Sequence, residues 1–195
     1  MTDTQNNAQK TQDQNQTNPQ QAKTVPMHVH AQYIKDLSLE NPHAPTSLLP
    51  GQAQPEMDVG INVDCRRMPD DVFQPASREP EEDRQDPKAW VYEVVLSIEA
   101  KAKRQEQVLF MAEIHYGILV SIPRQVQENM HHAMLLIEGP RLIFPFARQI
   151  LADATQHAGY PPLLLNPVDF EGMYKQRFAA EMERNEQATK TGTAR

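Results

Sequence analysis

His28 and His30 lie two apart in a segment of alternating character, so on a strand they share a face. His115 lies on a later alternating segment, two residues after Glu113. An H-x-H pair with a further His and a Glu is a donor set for an open zinc, iron or manganese site. On that reading the chain is a metal-dependent β-domain enzyme using His28, His30 and His115. The same residues also fit a solvated sheet face, and because the spacing of His alone is unspecific, that plainer reading carries more weight. His131 and His132 are neighbours on a predicted helix, about 100° apart, and read as surface side chains rather than ligands of one ion. Ser121 and Cys65 have no nucleophile motif around them, and Cys65 falls in the apolar phase of its strand, as a small buried side chain would. One cysteine allows neither an intrachain disulfide nor a Cys-cluster zinc site. No glycine-rich phosphate loop is present, and no carboxylate pair stands in visibly unequal surroundings. The expectation is no catalytic residue, no bound metal and no cofactor.

The elements that would position these residues follow from periodicity. Residues 27–39 alternate and read as a strand. In 56–65, Met57, Val59, Ile61, Val63 and Cys65 face one way, with Glu56, Asp58, Asn62 and Asp64 opposite. In 90–102, Trp90, Tyr92, Val94, Leu96, Ile98 and Ala100 share one face; Val91, Glu93, Val95, Ser97, Glu99 and Lys101 share the other. A turn at 103–107 leads to 108–122, where Val108, Phe110, Ala112, Ile114 and Tyr116 oppose Leu109, Met111, Glu113 and His115. Gly117 marks a bend or a close backbone approach. The pattern then turns helical. Val126, Met130, Ala133, Met134 and Ile137 form a stripe, which Gly139 and Pro140 interrupt. Pro145 fits a first helical turn, Gly159 a stop, and Asn166-Pro167-Val168-Asp169 a new start. Strands followed by helices make an α+β fold.

Residues 1–24 are rich in Gln, Asn and Thr and read as a disordered tail; 183–195 read as a flexible one. Between them, 25–182 form one domain, interrupted at 66–88 by a long acidic loop with four prolines. Residues 1–24 lack the basic and apolar regions of a secretory signal, and no apolar run reaches the ~18–20 residues of a membrane span. The expectation is a cytoplasmic protein with no direct membrane insertion. A net charge of −7 argues against nucleic acid and suits a basic partner.

If the helices cover one side of the sheet, the other carries Glu56, Asp58, Asp64, Glu93, Glu99 and Glu113 around Leu109, Met111, Val91 and Val95. Such a face is either a docking surface for a basic partner or ordinary solvated surface. Two dense apolar segments, 142–146 and 160–165, read as core or as the lining of a groove or interface.

Several stretches occur in the order found in a known family. They are Tyr33-Ile34-Lys35-Asp36-Leu37-Ser38-Leu39-Glu40-Asn41-Pro42, Gln54-Pro55-Glu56, Val91-Tyr92-Glu93-Val94-Val95-Leu96, Phe144-Pro145-Phe146-Ala147-Arg148 and Leu165-Asn166-Pro167-Val168-Asp169-Phe170. Together they resemble the SecB family of bacterial export chaperones. The resemblance implies a four-stranded antiparallel Greek-key sheet with helices packed on one face, assembled as a homotetramer, a dimer of dimers. It implies an ATP-independent holdase that binds unfolded secretory preproteins and delivers them to the translocation ATPase SecA. The family's SecA-docking positions fall on Asp36, Glu40, Met111 and Glu113, and its assembly positions on Ala112, Ile114 and Tyr116. Phe110, Phe144, Phe146, Leu163 and Leu165 are the expected client groove. The chain departs from the family's better-known members in its longer 66–88 loop, in Ala53 where an aromatic is usual, and in its C-terminal tail.

Overall fold

The computed structural model describes residues 26–51, 53–69 and 89–178. The expected tails at 1–24 and 183–195, and the 70–88 part of the long loop, lie outside the described residues. Four strands, β1 (His28–Glu40), β2 (Glu56–Arg67), β3 (Ala89–Arg104) and β4 (Gln107–Pro123), form one antiparallel sheet in the order β1-β4-β3-β2. Three consecutive strands lie side by side and β1 returns to lie next to β4, which is a Greek key. Helix α1 (Glu128–Ala133), a π-helical turn (Met134–Glu138) and helix α2 (Gly139–His157) follow without a break, and a short helix α3 spans 170–178. The α+β fold expected from the sequence is the fold observed.

The even-numbered side chains of β3 and β4 form the core. Val94, Leu96 and Ile98 on β3 and Ile114, Ile118, Val120 and Ile122 on β4 are fully buried, packed with Ile143, Ala147 and Leu151 of α2. Register pairs such as Leu96↔Tyr116 and Ile98↔Ile114 bring the two apolar sets onto one face. Leu109 departs from its expected place on the opposite face. Ala102 pairs with Phe110 and Lys103 with Val108, so Leu109 is an extra residue, and it turns inward and is fully buried.

The helices differ from expectation in three places. Gly139 and Pro140 do not stop the helix. Gly139 N–H donates to Met134 O, five residues back, and this wider turn carries the chain past Pro140, which has no N–H to give. Pro145 accordingly lies inside α2, and Pro140 occupies its first turn. Helix α3 begins after Asp169 rather than Asn166, because the Asp169 carboxylate accepts the Gly172 N–H at 3.0 Å. Gly159, at φ +90, ends α2 as expected. His131, expected at the surface, is buried: its Nε2 donates to Val126 O at 3.0 Å, which leaves Nδ1 to accept from the Tyr92 hydroxyl at 2.9 Å.

On the face turned away from α2, Glu93 of β3 is only 4% exposed. Its carboxylate accepts hydrogen bonds from the Tyr33 hydroxyl, from Lys35 Nζ at 2.9 and 3.1 Å, and from Arg66 Nε at 2.5 Å. Burial pushes this carboxyl upward, but the donors outweigh burial and hold it below its usual range. Burial and the bond to Glu93 push the Tyr33 hydroxyl up to about 12. Gly117, opposite Tyr33 on β4, makes the reach possible: a Cβ there would stand 2.8 Å from Tyr33 Cζ.

Three outcomes test this packing. Ile114→Ala should lower unfolding stability by about 2–5 kcal/mol, whereas Ile34→Ala, at a half-exposed position, should change it by about 0.5 kcal/mol; urea titration measures both. Glu93 has a lowered pKa in the folded state, so its stabilisation is present above the ordinary value of 4.5 and is lost as pH falls through the folded pKa. The stability gap between wild type and Glu93→Gln, about 1–3 kcal/mol at neutral pH, should therefore close in acid. Tyr33 has a raised pKa, so its contribution is intact below pH 10 and disappears toward about 12; a Tyr33→Phe difference absorbance titration should show one late tyrosine missing.

Candidate functional site

The proposed metal ligands do not meet. His28 pairs with Ser121 and His115 with Asp36, six residues apart along β4, or roughly 20 Å on an extended strand. His28 and His30 do lie close, with ring centroids 4.7 Å apart, but His115 instead contacts Glu113, with Nε2 2.6 Å from Oε1. Burial and the neighbouring His28 push His30 below its usual value. Among the described residues no group of three or more His, Cys, Asp or Glu could hold a metal ion. Cys65 is half-buried, and burial followed by the Asp64 charge raises its thiol, the direction of an unreactive cysteine.

The acidic residues do converge. Asp36 pairs with His115, Ser38 with Glu113 and Glu40 with Met111 across the β1–β4 boundary, and Glu99 pairs with Glu113 across β3–β4. Glu40, Glu99, Met111 and Glu113, together with Lys101, line a shallow concavity of about 280 Å³ on the face turned away from α2. Three of the four expected docking residues line it, and Asp36, paired with His115, stands beyond Glu113 on the same face. Glu99 joins them through register, a contact that sequence spacing within one strand cannot show. Other acids of this face stand opposite or against bases: Glu56 lies opposite Lys103 and Asp58 opposite Lys101 in register, and Glu93 is neutralised by Lys35 and Arg66. Opposed like charges such as Glu99 and Glu113 destabilise a sheet, so the patch is not an arrangement that folding favours.

The residues expected at the assembly interface lie beneath the surface. Ala112, Ile114 and Tyr116 point toward α2 and are buried within the single chain, with Tyr116 stacked on Phe146 at 6.4 Å. Their β1 partners, Leu39, Leu37 and Ile34, lie on an edge strand, and Leu37 and Ile34 are 42% and 47% exposed.

The expected client groove does not assemble as one surface. Phe110, Phe144 and Leu165 are core residues, and Leu163 is partly buried. Phe110 packs on Tyr160 and Phe144 on Phe170. Only Phe146 is well exposed, on α2. Aromatic density in the sequence does not tell which rings face inward. Leu164, inside the apolar segment 160–165, is exposed, and so are Leu48 and Leu49, which no sequence pattern singled out. They stand on two segments tied together by the Tyr160 hydroxyl, 2.9 Å from Ser47 Oγ and 3.0 Å from Asn41 Oδ1, and by Asn41 Nδ2 donating to Ala158 O at 3.1 Å. A second hollow of about 360 Å³ lies between β2 and α3, lined by Val63, Leu136, Phe170, Met173 and Tyr174.

Among the described residues no helix is long and apolar enough to cross a membrane. The family described as preprotein translocase subunit SecB matches residues 20–78 and 80–181. The chain is 43% identical over 157 residues to the protein-export protein SecB of Rhodospirillum centenum, covering 80% of this chain and 82% of that protein. It is 45% identical over 158 residues to the protein-export protein SecB of Maricaulis maris, covering 81% and 80%. A solved SecB-like chaperone of Mycobacterium tuberculosis, in complex with an antitoxin peptide, is 15% identical with a TM-score of 0.48, covering 73% of this chain and 91% of that one. With strands, covering helices and acidic patch all inside the matched residues, this chain belongs to the SecB family.

Proposed function

We propose that this chain is a cytoplasmic, ATP-independent holdase that keeps secretory preproteins unfolded and hands them to SecA. It acts by binding rather than by catalysis. The observation that carries the SecA step is the convergence of Glu40, Glu99 and Glu113 around Met111, with Asp36 beside them, on the face away from α2. Concentrated negative charge steers a basic partner, and a central apolar side chain gives the contact something to desolvate. Clients are held elsewhere, by Leu48, Leu49 and Leu164 and by the hollow beside Met173 and Tyr174. Such flexible apolar residues suit sequence-tolerant binding.

The working form is a homotetramer, a dimer of dimers. Ile34 and Leu37 on the β1 edge are the apolar surface that association would cover, and Ala112, Ile114 and Tyr116 support that edge from beneath.

Glu113→Lys should weaken SecA binding clearly in calorimetry, while capture of an unfolded precursor persists; wild-type SecA affinity would exclude this face. Exposed charge pairs are each worth ~0–1 kcal/mol, so Asp36→Ala or Glu40→Ala alone should act modestly, and all these effects should shrink as salt rises. Leu49→Asp with Leu164→Asp should show the reverse selectivity. Leu37→Asp should yield species smaller than a tetramer by light scattering with the fold intact, whereas Ile114→Asp should unfold the chain, because a carboxylate there would be buried without a partner.

A further inference from the structure

The outward side chains of β1 change parity along the strand. Ala31 and Tyr33 pair with Leu119 and Gly117, residues of the face away from α2. Beyond an irregularity between Ile34 and Asp36, the residues paired with His115, Glu113 and Met111 are Asp36, Ser38 and Glu40. Lys35 is the inserted residue of a bulge. Had the strand run on regularly from Tyr33, Leu37 and Leu39 would point outward, and Asp36 and Glu40 would point to the side of α2. The bulge therefore decides whether this stretch shows a partner acids or leucines.

Glu93 grips both residues that define the bulge. Its carboxylate accepts from the hydroxyl of Tyr33, the last outward residue before it, and from the ammonium of Lys35 at 2.9 and 3.1 Å. Arg66 holds the same carboxylate at 2.5 Å from β2, on the far side of the sheet. Gly117 leaves the ring of Tyr33 room to lie across β4. Glu93 itself is 4% exposed and lies well along the sheet from the acidic concavity, pairing with Leu119 rather than Glu113, so it is not a contact for a partner.

We propose that Glu93 is a positioning residue for partner docking: through Tyr33 and Lys35 it fixes the β1 bulge, and with it the outward phase of Asp36 and Glu40. This rests on the reading of that face as the SecA surface. The chemistry suits the task. A single carboxylate holds a phenol, an ammonium and a guanidinium, and these come from the two edge strands of the sheet. Charge-assisted hydrogen bonds are short and strong, so the bulge is pinned by the bonds the chain can least easily exchange for water.

The test uses the full chain in three forms: Glu93→Gln, Tyr33→Phe, and the double variant Asp36→Ala with Glu40→Ala. Hydrogen–deuterium exchange by mass spectrometry reads residues 33–40, calorimetry reads SecA affinity, and capture of an unfolded precursor reads client binding. Glu93→Gln should keep wild-type oligomeric mass and client capture, exchange faster at 33–40, and bind SecA about tenfold more weakly, the combined loss of two exposed acids. Tyr33→Phe, which keeps the ring over Gly117, should move both readouts the same way by less and covers the case in which Glu93→Gln fails to fold. The double variant should lose SecA affinity with exchange unchanged. Wild-type exchange at 33–40 in Glu93→Gln and Tyr33→Phe would overturn the positioning role. So would faster exchange with SecA affinity intact while the double variant loses it. If the double variant binds SecA normally, the docking reading has failed and the proposal falls with it.

Discussion

The even-numbered side chains of β3 and β4 are taken out of water by one helical layer, and among the described residues no second layer covers the odd-numbered ones. That one-sidedness governs the rest. Each fully buried Leu or Ile contributes about 1.5–3 kcal/mol, so the register of the central hairpin is strongly fixed, since a slip of one residue would exchange apolar and polar faces. The edge strands are held less firmly. Met57 and Val59 on β2 and Ile34 and Leu37 on β1 share the apolar face yet remain partly exposed at its margins. The wet face needs another kind of organisation, and the carboxylate of Glu93 supplies it by bonding to both edges of the sheet.

Close packing also accounts for the irregular helix. A Cβ at Gly139 would stand 3.3 Å from Val94 Cγ1, so the helix makes its near approach to β3 where there is no side chain to obstruct it. Pro140 follows at once, and its missing N–H would leave a gap in a regular α-helix. The π-turn over Met134–Glu138 absorbs the defect within the helix. At its other end α2 is tied to the following segment by Thr155, whose hydroxyl oxygen accepts the Leu163 N–H at 2.9 Å.

Strands and faces were legible because burial on one side leaves strong alternation, as in Val94, Leu96 and Ile98. Bulges were not, because one inserted residue has no local signature: Lys35 and Leu109 each reverse the parity that simple alternation assigns. The burial of Glu93 was hidden for a different reason. It depends on Tyr33 and Lys35, some sixty positions away in sequence, and on the absence of a side chain at Gly117. His131 is likewise buried only because Tyr92 and Val126 satisfy both of its ring nitrogens. Alternation alone put Glu99, Met111 and Glu113 on one acidic face; family resemblance singled out Asp36, Glu40, Met111 and Glu113, and register set Glu99 directly opposite Glu113.

The acidic patch and the apolar loops ask different things of the chain. Glu99 opposite Glu113 sets like charges against each other across the sheet, and a basic group placed over the concavity would relieve that repulsion. That term acts at a distance and is sensitive to salt, which suits encounter and release. Exposed leucines such as Leu48, Leu49 and Leu164 attract apolar groups only at contact and with little directional preference. These leucines lie on segments outside the sheet, so they can move without disturbing strand register. The acids stand on the sheet itself, where register fixes their spacing. On the proposed reading the rigid layer would carry the selective contact and the loops the tolerant one, since loops adapt more readily than a sheet.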